Sequence, residues 1–184
     1  LACPDSPTPT PPPPASRTFR WGAREVNNLW AEMNALKPGI LVRRAFPWRA
    51  IQSTSTSSYD WRGPDAWINA ATNAGLKIMA VVSQAPAWSN DVPGHTGVAG
   101  NRYPLGHQDA FYAFCAAAAA RYPQDKVAYW EIMNEPNLNG TDANNWTGDH
   151  VGEILDGAAR VMVAARSTAK VIGIVRAGCL SSDS

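Results

Sequence analysis

The stretch KIMAVVS, residues Lys77 to Ser83, carries five apolar side chains in a row between a lysine and a serine. Side chains along a strand point to opposite faces in turn, so a half-buried strand alternates apolar with polar residues. A run that is apolar at every position needs cover on both faces, as strands of parallel sheets have. Its shortness and its flanking glycine argue against a helix. KIMAVVS therefore predicts a buried parallel strand, and a parallel strand requires crossover segments on either side.

The neighbouring sequence supplies them. Upstream, GPDAWINAATNAGL (Gly63–Leu76) has Pro64 as a helix opener, apolar residues at Ala66, Ile68, Ala70 and Ala71, and a stop at Gly75. Before it, ILVRRAF (Ile40–Phe46) is β-branched at its start and closed by Pro47, which predicts a strand. Downstream, a helix is expected over residues 107–122, a strand over VAYWEIM (Val127–Met133), a helix over 149–168 and a fifth strand over KVIGIV (Lys170–Val175). TFRWG (Thr18–Gly22) reads as a weak first strand and Asn27–Leu36 as a short helix. Strands alternating with helices at this spacing form βα units and a parallel sheet.

Composition narrows the function. Hydrophobic residues make up 45% of the 184 and charged residues 17%, which fits a globular chain with a core. The net charge is +1 and the lysines at 37, 77, 126 and 170 are scattered, so the basic stripe of a nucleic-acid binder is missing. No apolar run is long enough to span a membrane. Cys3, Cys115 and Cys179 lie too far apart for a zinc site or a disulfide framework, and Cys115, amid Phe and Ala, reads as a small buried hydrophobe. No phosphate-binding glycine loop or metal-ligand spacing occurs, so neither metal nor cofactor is expected. Residues 1–16, with CPDSPTPTPPPPAS, form an extended Pro/Thr/Ser-rich linker of the kind that tethers secreted modules, and residues 17–184 form the folded part. A secreted or cell-surface setting is the expectation.

Parallel β/α chains place their active sites beyond the carboxyl ends of the strands. Trp48, the segment QAPAW ending at Trp88, and Asn134-Glu135 all fall there. The stretch after KIMAVVS, Gln84–Leu105, is too long for a mere connector.

Those residues carry a resemblance. Arg43 is followed five positions later by Trp48; APAW contains Pro86 and Trp88; Arg121-Tyr122 precedes a strand with Trp130-Glu131, then Asn134-Glu135-Pro136-Asn137. In that order they resemble clan A of the glycoside hydrolases, retaining (β/α)8 TIM-barrel enzymes, and most closely its cellulase-like and β-xylosidase/iduronidase-like branches. The resemblance runs over roughly residues 40–175. It implies an α/β fold that is a TIM barrel, here incomplete at about five βα units, and a carbohydrate, poly- or oligosaccharide, as partner. It also implies that Glu135 is the general acid/base and that Asn134 hydrogen-bonds the sugar 2-hydroxyl. The chemistry agrees: cleavage needs one carboxyl that stays protonated near neutrality, and burial beside aromatic groups raises a Glu. Pro136 holds Glu135 in extended geometry.

Other residues divide between substrate and scaffold. Trp48, Trp88 and Trp146, at or beyond strand ends, could stack on sugar rings, and Asn137 completes the candidate binding set; Trp30 and Trp67 read as packing. His95 and His107 read as loop or helix-cap residues. By alternation Glu131 shares a face with Glu135 but lies deeper, where Arg43 is the natural partner for a structural ion pair; Arg44, of opposite parity, points away.

A retaining enzyme needs a second carboxylate about 5 Å from the first. In clan A it comes from strand 7, whereas no Glu follows Glu153 here and residues 17–184 fall short of the about 250 of a full barrel. The nucleophile is therefore missing from this chain. Three explanations stand: a piece of a longer enzyme, a half-barrel completed by a C-terminal half or by self-association, or a non-catalytic glycan-binding or interaction module. The isolated chain is expected to be inactive, with edge strands prone to associate.

Overall fold

The computed structural model describes residues 22–24, 33, 35, 40–90, 107–134 and 148–173. Five parallel strands stand side by side in chain order: β1 (Gly22–Arg24), β2 (Leu41–Pro47), β3 (Lys77–Ser83), β4 (Val127–Ile132) and β5 (Val171–Ile172). Between them run α1 (Trp48–Ile51), α2 (Arg62–Asn73), α3 (Gln108–Arg121) and α4 (Gly148–Ala165). KIMAVVS is β3 from end to end. Of the strand expected over TFRWG, Gly22 is described and is in β1, which pairs Gly22 with Leu41 and continues to Arg24; Thr18–Trp21 lie outside the described residues. Of the helix expected over Asn27–Leu36, Met33 and Ala35 are described, and both are helical. The single turn α1 was not foreseen; it closes through Gln52 N–H donating to the Trp48 carbonyl at 2.9 Å.

One face of the sheet is apolar and carries the helices. Val42 and Phe46 of β2, Ile78, Ala80 and Val82 of β3, and Trp130 and Ile132 of β4 are all buried there with Ile68 of α2, Phe114 of α3 and Ile154 of α4. Phe46 sits at the centre, edge-on to Trp130 at 5.3 Å and to Tyr122 at 5.8 Å, with Phe114 at 5.9 Å. Complete burial of one such side chain contributes about 1.5–3 kcal/mol. Arg44 lies on this side too, its guanidinium 5.1 Å above the Trp67 ring.

The opposite face carries Arg43, Met79 and Val81, Tyr129 and Glu131, and its membership depends on an irregularity. Ile78 pairs with Val127, but Met79 pairs with Tyr129, so Ala128 is an extra residue in β4. This bulge resets the alternation: Val127 belongs to the helix-side core, whereas Tyr129 and Glu131 turn to the other side.

Local chemistry sets the helix ends. Gly75 takes φ 80, and the Leu76 and Gly75 N–H groups donate back to the Ala71 and Thr72 carbonyls, the paired closure that a left-handed glycine permits. α2 and α3 are tied by Asp65, which accepts from Arg121 Nε at 3.0 Å and from the Tyr122 hydroxyl at 2.8 Å. Gly157 lets α4 approach α3 closely, since a Cβ there would stand 2.3 Å from the Tyr112 ring. Arg166 donates to the Ala119 carbonyl at 2.7 Å, placing a cation at the carbonyl end of α3. Cys115 is fully buried and burial pushes its thiol well above the usual range. Among the described residues no helix is long and apolar enough to cross a membrane.

Candidate active site

At the carboxyl end of the sheet, on the face away from the helices, a single guanidinium joins two strands. Arg43 of β2 donates from Nε to Glu131 Oε2 at 2.7 Å and from Nη2 to Glu131 Oε1 at 2.6 Å. The same Nη2 donates to Asn134 Oδ1 at 2.6 Å. The structure thus brings together Arg43 and Glu131, and adds Asn134 to them, a contact that sequence reasoning did not supply. The Glu131 side chain is 1% exposed and that of Arg43 27%, so the carboxylate is out of water while the guanidinium keeps part of its hydration. A planar fork meeting a carboxylate with two parallel bonds is the strongest geometry for such a pair. Guanidinium can only donate, so the oxygen of the Asn134 amide must face it and Nδ2 is the donating end.

Asn134 reaches Arg43 because the backbone turns just before it. Met133 has φ 66, a left-handed conformation uncommon for a residue with a side chain. Continued alternation would put Met133 beside Glu131 and Asn134 among the helices. Instead Ile132 and Met133 are consecutive members of the helix-side core, both 0% exposed, and Asn134 comes round to the Arg43 side. The alternation of β4 ends at Met133; Glu135, expected to share the face of Glu131, lies outside the described residues. The preceding strand leaves in a similar way: Gln84 has φ 53, and its carbonyl accepts from Arg49 N–H at 2.9 Å. Methionine has no preference for positive φ, so no sequence signal marked this turn.

The aromatic residues at this end sort differently from the expectation. Trp48, expected to offer its face to a sugar, is 1% exposed. It stacks on Phe114 with centroids 5.6 Å apart, and its Nε1 donates to Gln52 Oε1 at 2.9 Å, so it is a packing residue. Its position directly after Pro47, where the chain dips into α1, turns it under the rim. Trp88, in the 3-10 turn Ala87–Asn90, is half-buried, edge-on to Trp48 at 5.2 Å and 5.7 Å from the His107 ring. Its Nε1 is buried with no hydrogen-bond partner among the described residues. His107 occupies the N-cap position of α3, but its side chain makes no capping bond. The ring lies against Trp88 instead, a contact with no sequence signature.

Arg43, Glu131 and Asn134 thus form a polar triad on a sheet whose parallel strands follow chain order. The sequence pattern of the cellulase family, glycosyl hydrolase family 5, fits residues 17–177. The chain belongs to that family. Family 5 falls in clan A, and the five parallel strands with their helices are accordingly part of a TIM barrel. No curated protein sequence matches the chain. Three solved structures show the same fold. One is a family 39 glycoside hydrolase from Bacteroides cellulosilyticus WH2, with TM-score 0.62 and 16% identity over 83% of this chain and 31% of that one. Another is an endoglucanase from the hyperthermophile Thermotoga maritima, with TM-score 0.57 and 20% identity over 80% and 44%. The third is a beta-galactosidase from the psychrophile Marinomonas ef1, with TM-score 0.64 and 15% identity over 84% and 37%. The chain therefore spans less than half the length of each.

Within this family 5 chain, the candidate residues Glu135, Asn137 and Trp146 lie outside the described residues, as does His95. Asn134 is the last described residue before Glu135, and its side chain is anchored. No group of three or more His, Cys, Asp or Glu side chains that could hold a metal ion occurs among the described residues.

Proposed function

We propose that this chain carries the acid/base side of a retaining glycoside hydrolase acting on a poly- or oligosaccharide, with Glu135 as general acid/base. The observation that supports it most is the Arg43 fork, which holds Glu131 and Asn134 at the end of β4, one residue before Glu135. In this reading Glu135 protonates the departing glycosidic oxygen and later takes a proton from water. Asn134, its amide oriented by Arg43, donates from Nδ2 to the sugar 2-hydroxyl, a bond that strengthens as positive charge develops on the ring. Glu131, already spent on Arg43, is scaffold. Trp88 is the proposed sugar-stacking ring; Asn137 and Trp146 join it from the loop after β4. The second carboxylate is proposed to come from a later strand of the full barrel. The Pro/Thr/Ser tract before the fold supports a secreted setting.

The test is leaving-group dependence in the full-length protein. Glu135→Ala is expected to abolish hydrolysis of unactivated glycosides. It should spare the first step on 2,4-dinitrophenyl glycosides, whose departure needs little protonation. Equal loss on both substrate types would refute the assignment. Saccharide binding without turnover by the parent would favour a glycan-binding module.

A further inference from the structure

We propose that Met133 is a positioning residue: its left-handed backbone rolls the end of β4 over by one residue, so that Asn134 rather than Met133 faces Arg43. The inference rests on the reading that the Asn134 amide contacts the sugar. Three observations converge on it. Met133 has φ 66 although it carries a long side chain, and holding a non-glycine residue there costs energy that surrounding contacts must supply. Those contacts are present. The Met133 N–H donates to the Val82 carbonyl at 3.2 Å, pinning the turn to β3, and its side chain is wholly buried among the helix-side residues. Directly after the turn, Asn134 Oδ1 meets Arg43 Nη2 at 2.6 Å.

The alternative geometry shows what the turn accomplishes. With extended backbone at Met133, its thioether side chain would follow Glu131 onto the polar face, and the Asn134 amide would enter the apolar layer without its guanidinium partner. Burying an amide there without a partner is unfavourable. The apolar side chain and the left-handed turn are thus two halves of one device. The N–H bond to Val82 pins the turn, burial of the Met133 side chain adds stability, and the backbone turn delivers the amide.

Three substitutions in the full-length protein separate backbone from packing. Met133→Gly permits positive φ freely but removes the buried side chain. Met133→Leu keeps apolar volume without branching at Cβ. Met133→Ile keeps the same volume, but its β-branch makes the left-handed region much harder to occupy. Crystal structures read φ at residue 133 and the Arg43–Asn134 contact; kinetics on 4-nitrophenyl β-cellobioside read the consequence. The Gly and Leu variants are expected to keep the turn, the contact and kcat within about twofold, the Gly variant at a lower melting temperature. The Ile variant is expected to lose the contact, and kcat should fall about tenfold to a hundredfold with KM little changed, as for a lost hydrogen bond to a charged group. The proposal is overturned if the Ile variant retains the Arg43–Asn134 contact, if the Gly variant loses it, or if kcat simply tracks melting temperature through the series. Absence of turnover in the parent would count against the glycosidase reading alone, since the crystal structures still decide the role of Met133.

Discussion

Replacing Glu131 by Gln leaves the shape of the β2–β4 link almost unchanged and removes its charge. The amide oxygen of the new side chain can still accept one bond from Arg43. Its NH2 group, however, faces a guanidinium nitrogen that can only donate, so one of the two bonds at 2.6–2.7 Å becomes a donor–donor contact. Removing one partner of a buried ion pair costs about 3–5 kcal/mol, most of it from the charge left behind. Here the stranded charge is Arg43, which at 27% exposure can recover some hydration, so the lower end, about 3 kcal/mol, is expected. For a domain of this size each kcal/mol shifts the melting temperature by about 2–4 °C, giving a fall of about 6–12 °C. Thermal unfolding of the full-length protein, followed by circular dichroism, measures it. Because Glu131 is 1% exposed, 1 M salt (against about 0.1 M) should change the difference little, whereas it would erase the effect of a surface pair. Arg43→Met and Glu131→Gln should be strongly non-additive, since each removes the same bonds. An unchanged melting temperature in Glu131→Gln would refute the reasoning outright.

Two further outcomes follow from the helix layer. Gly157→Ala would normally stabilise a helix interior by about 1 kcal/mol, but the new Cβ would stand 2.3 Å from the Tyr112 ring, so a net loss of about 1 kcal/mol is expected. In a Tyr112→Ala background the same substitution should become stabilising, and denaturant unfolding of the four proteins checks the reversal of sign. Asp65 has its pKa lowered, first by its hydrogen bond from Arg121, and Tyr122 adds to the effect. A depressed carboxyl contributes stability that is full above its unfolded range and is lost as pH falls through the folded value. Melting temperature should therefore drop more steeply below about pH 4 in the parent than in Asp65→Asn, while above pH 5 the two curves should run parallel. Parallel curves throughout would show that Asp65 does not link folding to acid.

The sequence of this chain determined the fold class because the relevant signals are local. KIMAVVS is apolar at every position, and no environment but a doubly covered strand suits it. Pro64 and Gly75 bracket a helix through backbone geometry that belongs to those residue types alone. The pairing of Arg43 with Glu131 was also legible, since two opposite charges at inward positions of strands two apart in the sheet have few other ways to be satisfied. Tertiary structure decided which side chains reach the site. The bulge at Ala128 and the left-handed Met133 each reverse the alternation of β4, and neither Ala nor Met carries a sequence mark for doing so. Both irregularities are selected by long-range contacts, with β3 on one side and the helix layer on the other, which override weak local preferences. The same holds for Trp48 and His107. A tryptophan just past a strand end suits a sugar platform or a core equally well by composition, and the short turn α1 is what swung Trp48 under Phe114. A histidine before a helix can cap it or leave it, and the ring of Trp88, which follows β3 in the same βα unit, is what drew His107 aside. Local propensity specifies which elements form; where the backbone departs from regular alternation, the packing of whole elements decides which groups meet.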